Sequence, residues 1–211
     1  MDGGLDRAAR RAPAEALLRQ ALGDPAAFRA GQWETIDALV AGRERILLVR
    51  ATGWGKSVVY FLAGRLLRRD LGPTLVVSPL RSLMRNQREA AQRLGLAAET
   101  VNADNREDWP DILRRWAAGR VDVLLLSPER LGDIGFIEEH LSAPPCGVGL
   151  LVIDEAHCIS DWGHDFRPDY RRIDRVLGAL RPGVPVLAAT ATANDRVVAD
   201  VAALLGPGLR V

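Results

Sequence analysis

Strand-like and helix-like segments alternate along nearly the whole of this 211-residue chain. The strand-like segments are rich in Val, Leu and Ile without polar alternation, which is typical of strands buried on both faces of a parallel sheet. This order predicts an α/β fold in which helices flank both faces of a mostly parallel central sheet. The predicted strands are Arg45–Val49, Thr74–Ser78, Ala98–Val101, Asp122–Ser127, Gly149–Asp154 and Val184–Thr190. The predicted helices are Ala14–Ala21, Gln32–Ala41, Lys56–Arg69, Leu80–Leu94, Asn105–Ala118, Ile134–Leu141, Pro168–Leu180 and Asn194–Leu205.

The composition indicates an ordinary globular domain. The chain is 48% hydrophobic and 26% charged, and its longest apolar runs are too short to cross a bilayer. The charged N-terminus lacks the apolar core of a secretory signal, so we expect a cytoplasmic protein with no membrane partner. Cys146 and Cys158 lack the spacing of a zinc site and are expected to be reduced thiols.

The length suits one domain with an additional arm. We expect residues 1–27 to form an N-terminal helical arm and residues 28–205 to form the main lobe. Residues 206–211 have the pattern of a helix stop followed by a new strand. We therefore interpret them as the start of a linker to a second lobe that is absent from this chain.

The segment Ala51–Ser57 has the pattern of a phosphate-binding loop between a strand and a helix. Its glycines allow backbone N–H groups to surround phosphate oxygens at a helix N-terminus. Lys56, the only lysine among 28 basic residues, would reach the β- and γ-phosphates, and the Ser57 hydroxyl would bind Mg²⁺. Arg50 stands where the full consensus has glycine, and Trp54 is unusual in such a loop. The predicted nucleotide-binding residues of the loop are Thr52, Gly53, Trp54, Gly55, Lys56 and Ser57.

An acidic pair follows the apolar segment Gly149–Ile153. Asp154 would lie at the carboxyl end of that strand, where ligands bind in open α/β sheets. We expect Asp154 to hold Mg²⁺ through its water shell and Glu155 to polarise the attacking water as general base. Taken alone, this segment is also compatible with an exposed helix start. Together with Lys56 it predicts a catalytic set for ATP with Mg²⁺ as cofactors.

The order of these motifs resembles the first RecA-like lobe of superfamily-two helicases, and RecQ-type DNA helicases most closely, over roughly Phe28–Thr192. The resemblance implies a RecA-like P-loop NTPase fold. The segment Phe28–Gln32 resembles the family's motif upstream of the phosphate loop, which implies that Arg29 and Gln32 contact the nucleotide and that Gln32 reads the adenine edge. Pro25 stands where the family has an aromatic residue that stacks on adenine, which leaves base selectivity to Gln32.

Two Ser-Pro segments resemble family motifs that touch the backbone of the tracking strand. Ser78–Gln87 resembles motif Ia, and Ser127–Leu131 resembles motif Ib. The resemblance implies nucleic-acid contacts at Ser78, Arg81 and Arg85, since helix N-termini and arginines suit phosphate. Taken alone, either segment is equally a Ser-Pro turn that caps a helix.

The segment His157–Tyr170 resembles the aromatic-rich loop that separates RecQ proteins from other DEAH-box helicases. Trp162 and Phe166 can stack on bases of any sequence, and Arg167 can meet phosphate. His164 belongs to the same predicted DNA loop. Taken alone, the segment is equally a packed aromatic loop. The remaining tryptophans lie on helical patterns and are expected to pack in the core: Trp33, Trp109 and Trp116.

Coupling between hydrolysis and DNA is predicted at three positions. The aromatic-rich loop begins directly after Glu155, so base stacking there can push on the catalytic carboxylate, and His157 lies between the two sites. The segment Thr190-Ala191-Thr192 resembles motif III, which implies that Thr190 and Thr192 couple hydrolysis to DNA.

The resemblance implies the ATP-binding lobe of a 3′-to-5′ DNA helicase that translocates on single-stranded DNA and unwinds duplexes in DNA repair and recombination. It also implies a bacterial, nucleoid-associated protein. Hydrolysis in such motors uses arginines from a second RecA-like lobe, so we expect this chain alone to be nearly inactive. Two alternatives remain open from the residues: an RNA helicase lobe of the DEAD or DEAH type, and a nucleotide-dependent binding module without enzymatic activity.

Overall fold

Seven parallel strands form a single central sheet in the computed structural model, which describes residues 3–142, 147–161 and 166–211. The strands are β1 Arg45–Val49, β2 Thr74–Val77, β3 Ala98–Val101, β4 Val123–Leu126, β5 Leu150–Asp154, β6 Val186–Thr190 and β7 Leu209–Arg210. The helices are α1 Gly3–Leu22, α2 Gln32–Val40, α3 Lys56–Leu71, α4 Arg81–Arg93, α5 Trp109–Ala117, α6 Ile134–Ile137, α7 Ile173–Ala179 and α8 Asp195–Leu205.

The strand order across the sheet is β3-β4-β2-β5-β6-β1-β7, and every neighbouring pair is parallel. The predicted α/β fold with a mostly parallel sheet is therefore confirmed. All six predicted strands are present, with bounds that shift by two residues at most, and β7 lies where the new strand was predicted near the C-terminus.

Successive side chains of each inner strand pack against the helices on opposite faces of the sheet. In β1, Ile46 and Leu48 join the core formed with α1–α4, whereas Leu47 joins the core formed with α5–α8. Burial of each such side chain contributes about 1.5–3 kcal/mol relative to exposure. This two-sided burial explains why the strands contain no polar alternation.

Three predicted helices are interrupted in the structure. Asn102 and Asn105 form a reciprocal capping box, so residues Ala103–Asp108 form a 3-10 turn before α5 begins. The predicted helix Ile134–Leu141 consists of α6 and a π-helical turn at Glu138–Ser142. A 3-10 turn, Pro168–Arg172, precedes α7.

Helix α1 is longer than the predicted Ala14–Ala21 and continues through Pro13. Tertiary contacts hold it: the Arg10 guanidinium bonds Asp37 of α2 at 2.9 Å, and Leu18 is buried in the core. These contacts offset the cost of the internal proline. Among the described residues, no helix is long and apolar enough to span a membrane.

The topology brings four loops together at the carboxyl edge of the sheet. Because β2, β5, β6 and β1 are consecutive neighbours, the segments that follow them share one edge. These segments carry the predicted motif Ia, the acidic pair, motif III and the phosphate loop, respectively. Ligands of open parallel sheets bind at this edge.

Candidate functional site

The phosphate loop connects β1 to α3 and leaves its backbone donors available. Gly53 and Gly55 adopt positive φ angles of 81° and 96°. In the described part of the chain, the backbone N–H groups of Gly53, Gly55, Lys56 and Ser57 donate no hydrogen bond. The Lys56 ammonium donates to the Arg50 carbonyl at 2.8 Å. The loop therefore presents free N–H groups and a fixed cation at a helix N-terminus, which is the chemistry of a phosphate site.

The upstream segment Arg29–Gln32 is hydrogen-bonded to the phosphate loop. The Gln32 side-chain oxygen accepts from the Arg29 N–H at 2.9 Å, and its amide nitrogen donates to the Trp54 carbonyl at 2.9 Å. The Arg29 guanidinium donates to the Gly53 carbonyl. A Cβ at position 55 would lie only 2.7 Å from the Gln32 amide nitrogen, so both φ and packing require Gly55. Gln32 is buried, and each end of its amide already has one partner.

The two departures from the loop consensus contact each other. The Arg50 guanidinium lies over the Trp54 indole, 5.6 Å from the ring centroid. Trp54 also packs against the core on the α1–α4 side. A cation–π contact of this kind is worth about 0.5–1 kcal/mol at an exposed site. The pair thus stabilises the base of the loop, and this gives Trp54 a structural role beside its predicted contact with nucleotide.

The acidic pair lies at the end of β5, as predicted. Asp154 is 6% exposed and accepts a hydrogen bond from the Gln87 amide at 2.6 Å. Burial and the neighbouring charge of Glu155 raise the pKa of the Asp154 carboxyl from 3.8 to about 6, against the opposing effects of Gln87 and Lys56. A buried carboxylate that remains ionised at neutral pH favours binding of a cation.

Replacement of Asp154 by asparagine is expected to raise the free energy of unfolding of the nucleotide-free chain by about 1–3 kcal/mol at pH 8. The pKa is 3.8 unfolded and about 6 folded, so the carboxylate destabilises the fold fully above pH 6 and hardly at all near pH 4. Urea denaturation at pH 8 and pH 5 measures the effect, and the gain should shrink at pH 5. A gain of equal size at both pH values would contradict the assignment.

Glu155 begins a short chain of polar contacts. Its φ of 50° turns the backbone into the left-handed region directly after β5. Nδ1 of His157 lies 3.3 Å from Oε2 of Glu155 and 2.9 Å from Oγ1 of Thr190, and that hydroxyl donates to the Thr192 carbonyl at 3.0 Å. With the Thr190 proton directed at Thr192, this geometry corresponds to the His157 tautomer that carries its hydrogen on Nδ1. The three residues of the predicted coupling set thus lie in one path from Glu155.

The residues at this edge fit ATP with Mg²⁺. A cavity of about 300 Å³ is lined by both phosphate-loop residues and the acidic pair, including Lys56, Ser57, Asp154 and Glu155. Hydroxyl and carboxylate oxygens are ligands that Mg²⁺ accepts together with phosphate oxygens and water. No group of three or more His, Cys, Asp or Glu side chains among the described residues could hold a metal unaided. Ser57 and Asp154 would therefore share the metal with the nucleotide.

Two of the predicted nucleic-acid residues of motif Ia are accessible. Arg85 is 83% exposed and pairs with Glu89 on its own helix, and exposed Arg81 pairs with Asp104 after β3. Ser78, in contrast, is fully buried, and its hydroxyl makes no hydrogen bond. A contact between nucleic acid and the Ser78 side chain would therefore require this loop to rearrange.

The stem of the aromatic-rich loop is joined to motif Ia. Arg167 donates to the Pro79 carbonyl at 3.0 Å, and the Arg171 guanidinium lies 5.2 Å from the centroid of the Phe166 ring. Both Phe166 and Arg167 are half-buried. Trp162 and His164, also predicted to contact nucleic acid, lie outside the described residues, as does Cys146.

Three buried residues of this region were not identified from the sequence as parts of the site. The Gln87 amide bonds both Asp154 and the Tyr60 hydroxyl, the latter at 3.0 Å. The Tyr170 hydroxyl donates to the Asp154 carbonyl at 2.8 Å. In the sequence, Gln87 stands in motif Ia and Tyr170 stands at the end of the aromatic-rich loop. Only the tertiary structure shows that both contact Asp154.

The predicted packing roles of the other tryptophans agree with their surroundings. Trp33 and Trp116 are buried, at 2% and 1% exposure. Trp109 is half-buried and packs against the core, and the guanidinium groups of Arg130 and Arg106 both contact its ring. Cys158 is a buried free thiol.

Comparison with known proteins assigns the family. The family described as DEAD/DEAH box helicase matches residues 29–201. The chain belongs to the DEAD/DEAH box helicase family. The matched residues include the phosphate loop, the acidic pair and the described parts of both predicted DNA-contacting segments.

Curated relatives confirm the similarity to RecQ proteins. The probable ATP-dependent DNA helicase RecS of Bacillus subtilis is 42% identical over 84% of this chain and 34% of that protein. The ATP-dependent DNA helicase RecQ of Bacillus subtilis is 36% identical over 82% of this chain and 29% of that protein. The ATP-dependent DNA helicase Q4 of Homo sapiens is 42% identical over 83% of this chain and 14% of that protein. The chain thus spans about a third or less of the length of these relatives.

Two solved structures share the fold. The crystal structure of the Pyrococcus furiosus Hef helicase domain matches 92% of this chain and 39% of that chain, with a TM-score of 0.69 and 19% identity. The Sulfolobus solfataricus SWI2/SNF2 ATPase core in complex with dsDNA matches 85% of this chain and 35% of that chain, with a TM-score of 0.61 and 19% identity. These likenesses concern the fold alone, and they confirm the predicted RecA-like architecture.

Proposed function

We propose that this chain is the ATP-binding lobe of a RecQ-like DNA helicase, in which Mg²⁺·ATP binds at the phosphate loop and the acidic pair. The observation that carries the proposal is the convergence of Lys56, Asp154 and Glu155 on one cavity, beside two segments suited to nucleic acid. Lys56 would hold the β- and γ-phosphates, Asp154 and Ser57 would hold the metal, and Glu155 would orient and deprotonate the attacking water.

The DNA track is proposed to follow the carboxyl edge of the sheet. Arg81 and Arg85 would neutralise phosphates, and the aromatic-rich loop would stack on bases. The bond from Arg167 to the Pro79 carbonyl supports a continuous surface, since it joins these two segments. The path Glu155–His157–Thr190–Thr192 would transmit DNA binding to the general base. Translocation from 3′ to 5′, duplex unwinding and a role in repair and recombination are proposed from the RecQ resemblance.

DNA rather than RNA is the proposed track, because the relatives named above are DNA helicases. Competition between single-stranded DNA and RNA of the same sequence, followed by fluorescence anisotropy at fixed salt, tests this choice. We expect DNA to bind at least about fivefold more tightly, a difference of about 1 kcal/mol. Equal binding, or preference for RNA, would favour an RNA helicase lobe instead.

We further propose that residues 28–205 form one half of a two-lobe motor, with residues 1–27 as an arm and residues 206–211 as the start of a linker. Since transition-state charge in such motors is stabilised by arginines of the second lobe, the 211-residue chain should bind Mg²⁺·ATP yet turn it over very slowly. A phosphate-release assay with and without single-stranded DNA measures this. Robust DNA-stimulated turnover by the chain alone would refute the half-motor proposal, and no nucleotide binding at all would refute the ATP site.

A further inference from the structure

We infer that Gln87 is a positioning residue that holds the metal-binding carboxylate of Asp154 and connects it to the helix that carries the predicted DNA-contacting arginines. The inference rests on the proposed function, since it concerns the metal of that site. It adds a second connection between DNA and the ATP site, independent of the path through His157.

The contacts of Gln87 are directed at Asp154. Gln87 is 8% exposed, and its amide nitrogen donates to Oδ2 of Asp154 at 2.6 Å and to the Tyr60 hydroxyl at 3.0 Å. Both amide hydrogens are therefore committed to two oxygens at the edge of the nucleotide cavity. A neutral amide can donate to a carboxylate without competing for its proton, so this contact fixes the orientation of the carboxylate while leaving its charge available to a cation.

The amide oxygen of Gln87 shows that the contact with Asp154 determines the orientation of the Gln87 side chain. Oε1 of Gln87 is buried and has no hydrogen-bond partner. An unsatisfied buried acceptor costs about 1–3 kcal/mol. The reversed amide would place Oε1 against the Asp154 carboxylate, where two acceptors would repel each other. The charge-assisted bond to Asp154 thus outweighs the cost of leaving the amide oxygen without a partner. This is expected if the role of Gln87 is to orient the Asp154 carboxylate.

Helix α4 joins this contact to the predicted DNA surface. Arg81, Arg85 and Gln87 lie on the same 13-residue helix, within its first two turns. Arg81 and Arg85 are exposed, whereas Met84 and Gln87 face the interior. Arg81 and Gln87 are about 9 Å apart along the axis of one continuous helix, the rise of six residues. A shift of α4 on binding phosphate at the arginines would therefore also move Gln87 relative to Asp154. Asp154 belongs to the central strand β5 and is held from the other side by Tyr170.

The test is the Mg²⁺ dependence of nucleotide binding by the 211-residue chain. Mg²⁺ is titrated into chain mixed with a fluorescent ATP analogue, for wild type, Gln87→Met and the matched control Gln92→Met, an exposed glutamine of the same helix. We expect Gln87→Met to raise the Mg²⁺ concentration for half-maximal binding about tenfold, the loss of one hydrogen bond to a charged group, or about 1.4 kcal/mol. This shift should exceed any change in binding without Mg²⁺, and Gln92→Met should behave as wild type.

A purely structural role would give a different result. If Gln87→Met lowers the melting temperature but leaves the Mg²⁺ midpoint unchanged, the inference is overturned. Should Gln87→Met fail to fold, Gln87→Asn keeps the amide but shortens its reach, and it should shift the Mg²⁺ midpoint in the same direction. Wild-type chain that binds no nucleotide would count against the proposed function itself, whereas normal wild-type binding with an unshifted variant counts against Gln87 alone.

The connection to DNA is tested by repeating the titration with oligothymidylate. Single-stranded DNA should shift the Mg²⁺ midpoint of wild type and of Gln92→Met by at least about fivefold, a coupling of about 1 kcal/mol. The shift should be lost in Gln87→Met. A shift of undiminished size in Gln87→Met, or none in wild type, would overturn the connection through α4.

Discussion

Replacement of Lys56 by alanine is expected to weaken binding of Mg²⁺·ATP at least about a hundredfold, because the charge-assisted bonds from one ammonium to two phosphates contribute about 3 kcal/mol. The bonds from Gln32 to the Trp54 carbonyl and from Arg29 to the Gly53 carbonyl would remain, so the loop should still fold. Isothermal titration calorimetry with a non-hydrolysable ATP analogue measures the loss.

The matched variant Lys56→Arg separates charge from shape. Arginine keeps the positive charge but presents a planar, wider group in a loop where the Lys56 ammonium now reaches the Arg50 carbonyl. We expect Lys56→Arg to bind more weakly than wild type and more tightly than Lys56→Ala. If Lys56→Ala and the wild-type chain bind the ATP analogue with equal affinity, the phosphate loop is not the nucleotide site.

Replacement of Glu155 by glutamine is expected to slow hydrolysis at least about a hundredfold, since general-base catalysis contributes about 10²–10⁴ in rate. Nucleotide affinity should change little, because Asp154 and Lys56 remain. Because the chain alone is expected to be slow, the experiment is a single-turnover reaction with chain in excess over radiolabelled ATP. The phosphate released over hours is then compared between the variants.

Glu138→Gln is the appropriate control for this substitution, since Glu138 is exposed on the π-helical turn after α6 and is not part of the site described here. It should hydrolyse ATP at the wild-type rate. Glu155→Gln with a wild-type rate would remove the general-base assignment, and a parallel loss of affinity would indicate a binding role instead.

The strands and the geometry of the predicted phosphate loop were predictable because local sequence determines both. An inner strand of a parallel sheet must be apolar on both faces, so Leu150–Ile153 reads as a strand without further information. The phosphate loop needs glycines at positive φ and a cation at a helix start, which residue types alone reveal. The carboxyl-edge location of Asp154 follows from the strand that precedes it.

The interrupted helices were not predictable from hydrophobic periodicity. The Asn102–Asn105 capping box competes with helix formation through side-chain bonds to the backbone, and periodicity does not register such bonds. Helix α1 extends through Pro13 because of contacts with Asp37, which lies 27 residues from Arg10 in the sequence. Tertiary contacts of this kind override local propensity.

Roles that depend on distant partners were also beyond the sequence. Gln87 and Tyr170 reach Asp154 from separations of 67 and 16 residues, and no local pattern distinguishes them from ordinary polar residues. Gln32 was predicted to read adenine, yet in the structure its amide holds the phosphate loop. The adenine role stays a prediction, and the remaining lone pair and hydrogen of the amide are the groups that could serve it.

Linkage between nucleotide and DNA is the central property of the proposed helicase lobe. The affinity of the chain for single-stranded oligothymidylate, measured by fluorescence anisotropy with and without Mg²⁺ and a non-hydrolysable ATP analogue, tests it most directly. The predicted result is an affinity that changes at least about fivefold with nucleotide in wild type, a coupling of about 1 kcal/mol, and not at all in Lys56→Ala. Equal DNA affinity in the two nucleotide states of the wild-type chain would contradict a coupled ATP and DNA site.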